Sequence, residues 1–177
     1  MLKTKDPVIK YGCIFALIYM VSYLTRTNFG AIVSEMERST GFSKDLLSLS
    51  LTGSFITYGA GQLLSGFLGD RVKPRHIIPA GLALAVLCNV GIFFASTIPV
   101  MTVIWSVNGF AHALLWPPIV RLMSTHLSAE DYSFAAVRVN QGSSIATIAL
   151  YLFCPLLLGF LQWRTWEDSH THWYTTA

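Results

Sequence analysis

Long apolar runs separated by short polar stretches dominate this sequence. A helix that crosses a lipid bilayer needs about 20 mainly apolar residues, and five segments reach that length. The pattern predicts membrane-spanning helices at about 8–36, 46–69, 77–96, 100–123 and 134–161. The third and fourth are separated at Thr97-Ile98-Pro99, because proline interrupts a helix. The expected fold class is all-α, a polytopic membrane protein with five transmembrane helices.

The sequence changes character after the fifth predicted helix. Residues 163–177 are polar and too few to cross a bilayer again. We therefore expect residues 1–162 to form one bundle of helices and residues 163–177 to be a polar tail. Because membrane carriers are often built from paired repeats, five spans and a tail indicate a repeat without its last helix.

The composition supports a membrane protein. Charged residues make up 12% of the chain and apolar residues 53%, whereas an ordinary soluble domain carries about 25% charged residues. A soluble enzyme, a nucleic-acid binder and a disordered chain are therefore set aside. The three cysteines stand singly in apolar surroundings, and no nucleotide-binding, zinc-protease or serine-hydrolase motif occurs. We accordingly expect no cofactor, no metal and no enzymatic activity.

The distribution of basic residues predicts the orientation of the chain. Cytoplasmic segments of membrane proteins carry an excess of Lys and Arg. With a cytoplasmic N-terminus, the inner segments hold Lys3, Lys5, Lys10, Arg71, Lys73, Arg75, Arg121 and Arg138, and the outer segments hold Arg38, Lys44 and Arg164. We expect an integral protein of the inner (plasma) membrane of a bacterium, with its N-terminus in the cytoplasm.

Polar residues within the predicted spans are aligned on single helix faces. The stripes are Tyr19, Tyr23, Arg26 and Gly30 in the first helix, Tyr58, Gln62, Ser65 and Gly69 in the second, Asn108, His112 and Trp116 in the fourth, and Asn140, Ser144, Thr147 and Tyr151 in the fifth. The third helix offers Asn89 near its middle. The simplest arrangement places helices 1, 2, 4 and 5 around a polar cavity and helix 3 outside, against lipid. Alternatively, these side chains bond helices to one another.

Arg26 is the residue that points most directly to a ligand. It lies about 15 residues, or on the order of 23 Å, beyond Tyr11, too far to reach the cytoplasmic interface easily. A charge near the bilayer centre costs at least about 2.5–3.5 kcal/mol, so it is retained where something interacts with it. The spans hold no Asp or Glu at comparable depth, and a guanidinium suits a carboxylate or a phosphate. We expect an anionic ligand, with a purely structural role as the alternative.

Other polar residues on the same faces are expected to bind that ligand with Arg26. The predicted substrate-binding residues are Arg26, Tyr19, Tyr23, Tyr58, Gln62, His112 and Asn140. Each tyrosine is equally well explained as a cavity wall, and His112 as a hydrogen-bonded packing residue. Pro117 and Pro118 are expected to distort the fourth helix near its cytoplasmic end.

The loop between the second and third helices carries the most specific motif. Its sequence, GFLGDRVKPRH, resembles the G-x-L-x-D-R-x-G-x-R-R loop of the major facilitator superfamily, which occupies the same place. Gly66, Asp70, Arg71 and Arg75 match that motif, as does Leu68, while Lys73 replaces its second Gly and His76 its last Arg. The resemblance implies that these residues form a loop involved in conformational change.

Further segments narrow the resemblance to one branch of that family. SYLTRTNFG, YGAGQLLSGFLGDRVKPR and NGFAHALLWPP resemble the organophosphate:phosphate antiporters, the glycerol-3-phosphate and hexose-phosphate carriers. The resemblance implies that Arg26 binds substrate phosphate, and that two six-helix halves rock around a central site, the second half supplying another Arg. Gln62 stands where the branch often has Lys, which leaves a carboxylate open as the substrate.

The expected function is that of part of a secondary active transporter. The resemblance implies the N-terminal half-bundle of a facilitator, truncated before its sixth helix, that moves a small organic anion such as a sugar phosphate or a carboxylate by alternating access when complete. The alternative is a non-transporting membrane fragment or interaction partner. The expected partners are the lipid bilayer, the anion, and a missing C-terminal half or a second copy, but no nucleic acid.

Overall fold

A computed structural model of the chain describes residues 6–174, without the side chains of residues 6–8, 10, 69, 70, 159 and 161–174. Six α-helices follow one another along it: α1 (Asp6–Thr40), α2 (Lys44–Arg71), α3 (Pro74–Phe93), α4 (Ile98–Ala113), α5 (Trp116–His126) and α6 (Ala129–Tyr174). The described residues contain no β-strand. The all-α prediction is confirmed.

Local signals explain where the first helices begin and end. Gly41 has φ 74°, a left-handed conformation that favours glycine, and its N–H donates to the Glu37 carbonyl at 3.1 Å to close α1. Ser43 then caps α2 by accepting the Leu46 N–H at 3.4 Å. Pro74 opens α3 at the first helical position, where a missing N–H costs nothing.

The predicted fourth helix is two helices, which corrects its expected bounds of 100–123. α4 ends at Ala113, and α5 starts at Trp116 with Pro117 and Pro118 in its first turn. Proline has no N–H to continue the α-helical ladder, so the bonds between α4 and α5 tighten: the Leu114 and Leu115 N–H groups reach the Ala111 and His112 carbonyls, both at 3.2 Å. The proline distortion therefore interrupts the α-helical pattern at Leu114 and Leu115, although hydrogen bonds continue across it.

Two further bounds differ from the predictions. α3 ends at Phe93 rather than at 96, because the chain turns before Thr97 and Pro99 start α4. α6 begins at Ala129 and continues through the polar sequence to Tyr174, whereas the predicted helix covered 134–161. Residues 163–174 are thus helical in backbone, and the expectation that residues 163–177 replace a sixth span stays a prediction.

Three helical segments of the described chain are long and apolar enough to cross a membrane: Pro74–Phe93, Ile98–His126 and Ala129–Leu158. The second of these combines α4 and α5. Over their whole lengths α1 and α2 are less apolar than α3 and α4, and α1 also contains the charged residues Arg26, Glu35, Glu37 and Arg38. The count of five transmembrane helices therefore stays a prediction.

Small residues allow two pairs of helices to approach closely. Between α1 and α6, a Cβ atom on Gly12 would lie 3.8 Å from the Ala135 Cα, and one on Gly142 would lie 2.7 Å from the Ala16 carbonyl oxygen. Between α2 and α4, the Ser54 carbonyl occupies the place of a Cβ on Gly109. Close backbone approach of this kind is typical of helix packing in membranes.

Most of the large buried apolar side chains of the described residues lie in two clusters. The first contains Tyr19, Ile78, Leu115, Ile119, Met123, Ala135 and Val139, and the second Phe29, Val33, Leu47, Met101 and Trp105. Along α1, Arg26 lies between these clusters. The α1 segment between them is therefore where polar groups can be held inside the bundle.

Candidate functional site

Arg26 projects from α1 onto the aromatic face of α2. Its guanidinium carbon lies 3.7 Å from the centre of the Tyr58 ring and 5.8 Å from that of the Tyr23 ring. A cation over an aromatic face is attracted by the ring's quadrupole, more strongly where water is excluded. Arg26 is half-buried. The structure thus brings together three of the residues that the stripes predicted, from two helices.

A cavity of about 110 Å³ opens beside this guanidinium. Its wall comprises Arg26, Thr27, Gly30, Leu51, Ser54, Phe55, Trp105 and Tyr151, from α1, α2, α4 and α6. Gly30 leaves room on α1, because the Tyr151 hydroxyl lies 3.2 Å from where its Cβ would be. The cavity therefore combines one cation with hydroxyl groups.

The charge of Arg26 is not neutralised by an acid in the described part of the chain. There, the recorded salt bridge joins Arg38 to Glu35 at 3.7 Å, near the end of α1. Arg26 itself interacts with aromatic rings. A guanidinium held beside a cavity without a carboxylate is suited to bind an anion in a fork of N–H donors.

Tyr19 and Tyr23 continue the polar face of α1 in different environments. Tyr19 is buried in the first apolar cluster, with its ring centre 5.0 Å from that of Trp116 and 5.1 Å from that of Tyr23. Tyr23 is half-buried and also borders a wider cavity of about 350 Å³ with Ser143, Ser144, Thr147 and Ile148 of α6. Tyr23 is thus the link between this wider cavity and Arg26.

His112 does not line the Arg26 cavity and lies in the interface between α4 and α1. Its Nδ1 and the Ser22 hydroxyl are 2.9 Å apart, and 2% of its surface is exposed. Its Nε2 is buried and has no hydrogen-bond partner among the described residues. This position is consistent with the alternative of a hydrogen-bonded packing residue. Ligand binding by His112 stays a prediction.

Gln62 and Asn140 do not line the cavity at Arg26. Gln62 is half-buried on α2, one turn after Tyr58. Asn140 is exposed on α6, and its amide donates to the Ala136 carbonyl of the same helix at 3.0 Å. Neither borders the cavity at Arg26, so ligand binding by these two residues also stays a prediction.

Three residues of the Arg26 cavity were not among the predicted ligands although the sequence carried a signal. Tyr151 was the last member of the α6 stripe, Gly30 belonged to the α1 stripe, and Ser54 lies one helical turn before Tyr58. Trp105 also borders the cavity, and its ring centre lies 4.9 Å from that of Phe29. Nothing in the helical spacing of α4 distinguished Trp105 from a core residue.

The motif between the second and third helices lies at the end of α2, opposite the end of α5. The Arg71 guanidinium lies 4.8 Å from the centre of the Phe67 ring, and Arg75 Nε donates to His76 Nε2 at 3.0 Å. Gly66 is exposed, and the Asp70 side chain lies outside the described residues. A basic pocket of about 330 Å³ is lined by Arg71, Val72, Lys73, Pro74, Arg121, Leu122, Thr125 and His126.

Residues 15–166 match the family model of the Major Facilitator Superfamily. Several curated proteins are similar to the chain. A probable hexose phosphate transport protein of Chlamydia trachomatis is 31% identical over 90% of this chain and 43% of its own length. The glycerol-3-phosphate transporter of Bacillus subtilis is 27% identical, over 85% of this chain and 34% of that protein.

The membrane sensor protein UhpC of Escherichia coli is also similar, at 29% identity over 64% of this chain and 26% of its own. The chain thus spans less than half the length of these curated relatives. No solved structure matches it significantly.

Proposed function

The chain belongs to the Major Facilitator Superfamily, and from this premise we propose that it is the N-terminal part of a secondary transporter for a small organic anion. A sugar phosphate is the favoured substrate, because the names of its relatives include hexose phosphate and glycerol-3-phosphate carriers. A carboxylate is the second candidate, because Arg26 is the cation at the cavity.

The observation that carries this proposal is the position of Arg26. A cation inside a membrane bundle is costly unless something interacts with it. In the described residues the Arg26 guanidinium has aromatic faces and a cavity beside it rather than a carboxylate. An anion entering the cavity supplies the missing charge, and the Tyr151 hydroxyl is placed to contact its polar groups.

Transport in this proposal requires a second bundle. Alternating access is the movement of two bundles around one shared site, and this chain spans 43% of the hexose phosphate relative. The second bundle is then the remaining half of a longer transporter or a second copy of this chain. The chain contributes five spans, with its N-terminus and the basic pocket at the cytoplasmic side of a bacterial inner membrane.

The decisive experiment measures anion binding by the chain in lipid nanodiscs. Glycerol 3-phosphate, inorganic phosphate and a short carboxylate are titrated against the unaltered chain, Arg26→Gln and Arg26→Lys. Charged hydrogen bonds contribute about 1.5–3 kcal/mol, so Arg26→Gln should weaken binding about 10- to 150-fold. Arg26→Lys should retain part of the affinity, because it keeps the charge but not the fork.

The matched control is Arg138→Gln, which removes an exposed arginine that lies over the Phe134 ring on α6. This variant should bind like the unaltered chain. Equal affinity of Arg26→Gln and the unaltered chain would show that the anion site is elsewhere. Comparison of the three ligands decides between a phosphate ester and a carboxylate.

A receptor that binds the anion without moving it is the second candidate function. It is favoured by the similarity to the sensor UhpC, whose name describes a membrane sensor. Binding in nanodiscs is the same for both candidates, whereas exchange of labelled glycerol 3-phosphate by liposomes occurs only with a transporter. Measurements on the chain alone and with a facilitator C-terminal half separate the two.

A further inference from the structure

The α1 segment that carries Arg26 is held by side chains from two other helices. The Ser22 hydroxyl bonds to His112 of α4, and the Thr25 carbonyl accepts from Asn108 of α4 at 3.3 Å. From α3, Asn89 reaches the same segment through two bonds. These four bonds involve residues 22, 25 and 28, within about one helical turn of Arg26.

Asn89 has the most constrained position in this network. Its Nδ2 donates to the Thr25 carbonyl at 2.8 Å and to the Ala85 carbonyl of its own helix at 2.9 Å. Its Oδ1 accepts from Asn28 Nδ2. Both donor hydrogens and the acceptor oxygen of the carboxamide are therefore engaged, and exchanging its N and O atoms would turn the oxygen towards two carbonyls.

This satisfied carboxamide fixes the rotation of α1 about its axis. Arg26 is next to Thr25, so a rotation that breaks the bond from Asn89 also moves the guanidinium relative to the Tyr58 ring, which is 3.7 Å away. On the other side, Gly142 and Ala135 of α6 pack closely against α1 and have no side-chain hydrogen-bonding groups. The interhelical hydrogen bonds described for residues 22–28 of α1 all come from α3 and α4.

We propose that Asn89 is a positioning residue that holds the α1 segment around Thr25 and thereby keeps the Arg26 guanidinium at the cavity. The consequence for ligand binding rests on the proposed function. An anion can bind Arg26 only in those molecules in which the α1 segment holds the guanidinium at the cavity. Apparent affinity falls in proportion to that fraction. Asn89 itself does not border the cavity.

The test reads the position of Arg26 without any ligand. The full chain in nanodiscs is treated with phenylglyoxal, which modifies exposed guanidinium groups, and the rate at Arg26 is followed by peptide mass spectrometry. Arg138, exposed on α6, is the internal reference in every sample. The variants are Asn89→Leu, which is nearly isosteric but cannot hydrogen-bond, and Asn28→Leu, which removes one bond from the α1 side.

Ser50→Ala is the matched control. It removes another interhelical bond, the 3.1 Å contact between the Ser50 and Thr102 hydroxyls of α2 and α4, but leaves α1 untouched. Asn89→Leu should change the modification rate of Arg26 about threefold or more, with a smaller change in the same direction for Asn28→Leu. Ser50→Ala should change neither Arg26 nor Arg138.

Glycerol 3-phosphate affinity is the second readout. Asn89→Leu should weaken it about 3- to 15-fold, while Ser50→Ala leaves it unchanged. Unaltered Arg26 reactivity in both Asn variants, or an equal change in Ser50→Ala, would overturn the positioning role. If the unaltered chain binds no anion but Arg26 reactivity still responds to Asn89→Leu, the proposed function fails and the positioning role stands.

Discussion

The two sides of α1 are built differently. Towards α3 and α4, Ser22, Thr25 and Asn28 form hydrogen bonds with buried or half-buried polar side chains. Towards α6, Gly12 lies against Ala135 and Gly142 against Ala16, and the Tyr151 hydroxyl of α6 lies beside Gly30. Hydrogen bonds are directional and dispersion contacts are not. The polar side therefore sets how α1 is turned, and the small-residue side sets how closely α6 approaches.

Arg26 lies between these two sides, so the difference between them affects how its side chain is held. The cation needs a fixed direction to remain over Tyr58, and that direction comes from the polar side. The wider cavity between Tyr23 and Ser144 lies on the side of α6. The polar contacts with α3 and α4 and the close packing against α6 therefore flank the one helix segment that carries the cation.

Gly142→Leu should have the largest effect, because it breaks the small-residue side. A Cβ at this position already falls 2.7 Å from the Ala16 carbonyl oxygen, and overpacking costs about 1–3 kcal/mol. We expect loss of about 3 kcal/mol in unfolding free energy, measured by denaturant titration in detergent micelles. Gly59→Leu is the control, because nothing lies within 4 Å of its Cβ position; an equal loss there would refute tight packing at Gly142.

Ser22→Ala should have a smaller effect, on the polar side. It removes the hydrogen-bond partner of His112 Nδ1. The other ring nitrogen, Nε2, has no hydrogen-bond partner among the described residues, so the imidazole would then have none there. Hydrogen bonds between membrane helices contribute about 0.6 kcal/mol on average and at most about 1.7. We expect a loss of about 1 kcal/mol in the same titration. A double-mutant cycle with His112→Leu checks the pairing, because the two losses should then not add.

Tyr58→Leu should have the smallest effect on the unfolding free energy. It tests whether the Tyr58 ring stabilises the region around the Arg26 cavity. The exchange removes the aromatic face beneath the Arg26 guanidinium, which contributes about 0.5–1 kcal/mol at a partly exposed site. Tyr58→Phe keeps the ring and should match the unaltered chain in unfolding free energy. An equal loss of unfolding free energy in both variants would mean that the hydroxyl of Tyr58, rather than its ring, stabilises the region around the Arg26 cavity.

The sequence predicted which helix faces are polar better than it predicted what each face meets. The stripes placed Arg26, Tyr23 and Tyr58 on facing surfaces, and the structure brings these three together. The stripes could not distinguish a residue that lines the cavity from one buried between two helices. Helical spacing shows which side of its own helix a residue lies on, but not what the neighbouring helix places there. Asn108 and His112 share a predicted stripe, but both bond to α1 and neither lines the cavity.

Asn89 is a second residue whose contacts could not be predicted from helical spacing. A single polar residue in an apolar third helix was consistent with a helix facing lipid, and Val86, Leu87, Val90 and Phe93 do form an exposed outer face. Its partner is the Thr25 carbonyl, and a backbone carbonyl leaves no mark in a sequence. Hydropathy likewise predicts which segments cross lipid rather than which are helical, so it did not reveal that α6 continues to Tyr174.

The interruption between α4 and α5 lies within one segment, Ile98–His126, that is long and apolar enough to cross a membrane. Pro117 and Pro118 lack the N–H groups that would bond the carbonyls of Ala113 and Leu114. The upper segment is anchored to α1 by Asn108 and His112, and the lower segment ends at the basic pocket. The N–H groups of Leu114, Leu115 and Ile119 still bond across the junction, but it holds fewer α-helical hydrogen bonds than an unbroken helix, so the angle between α4 and α5 is easier to change there than elsewhere along the segment.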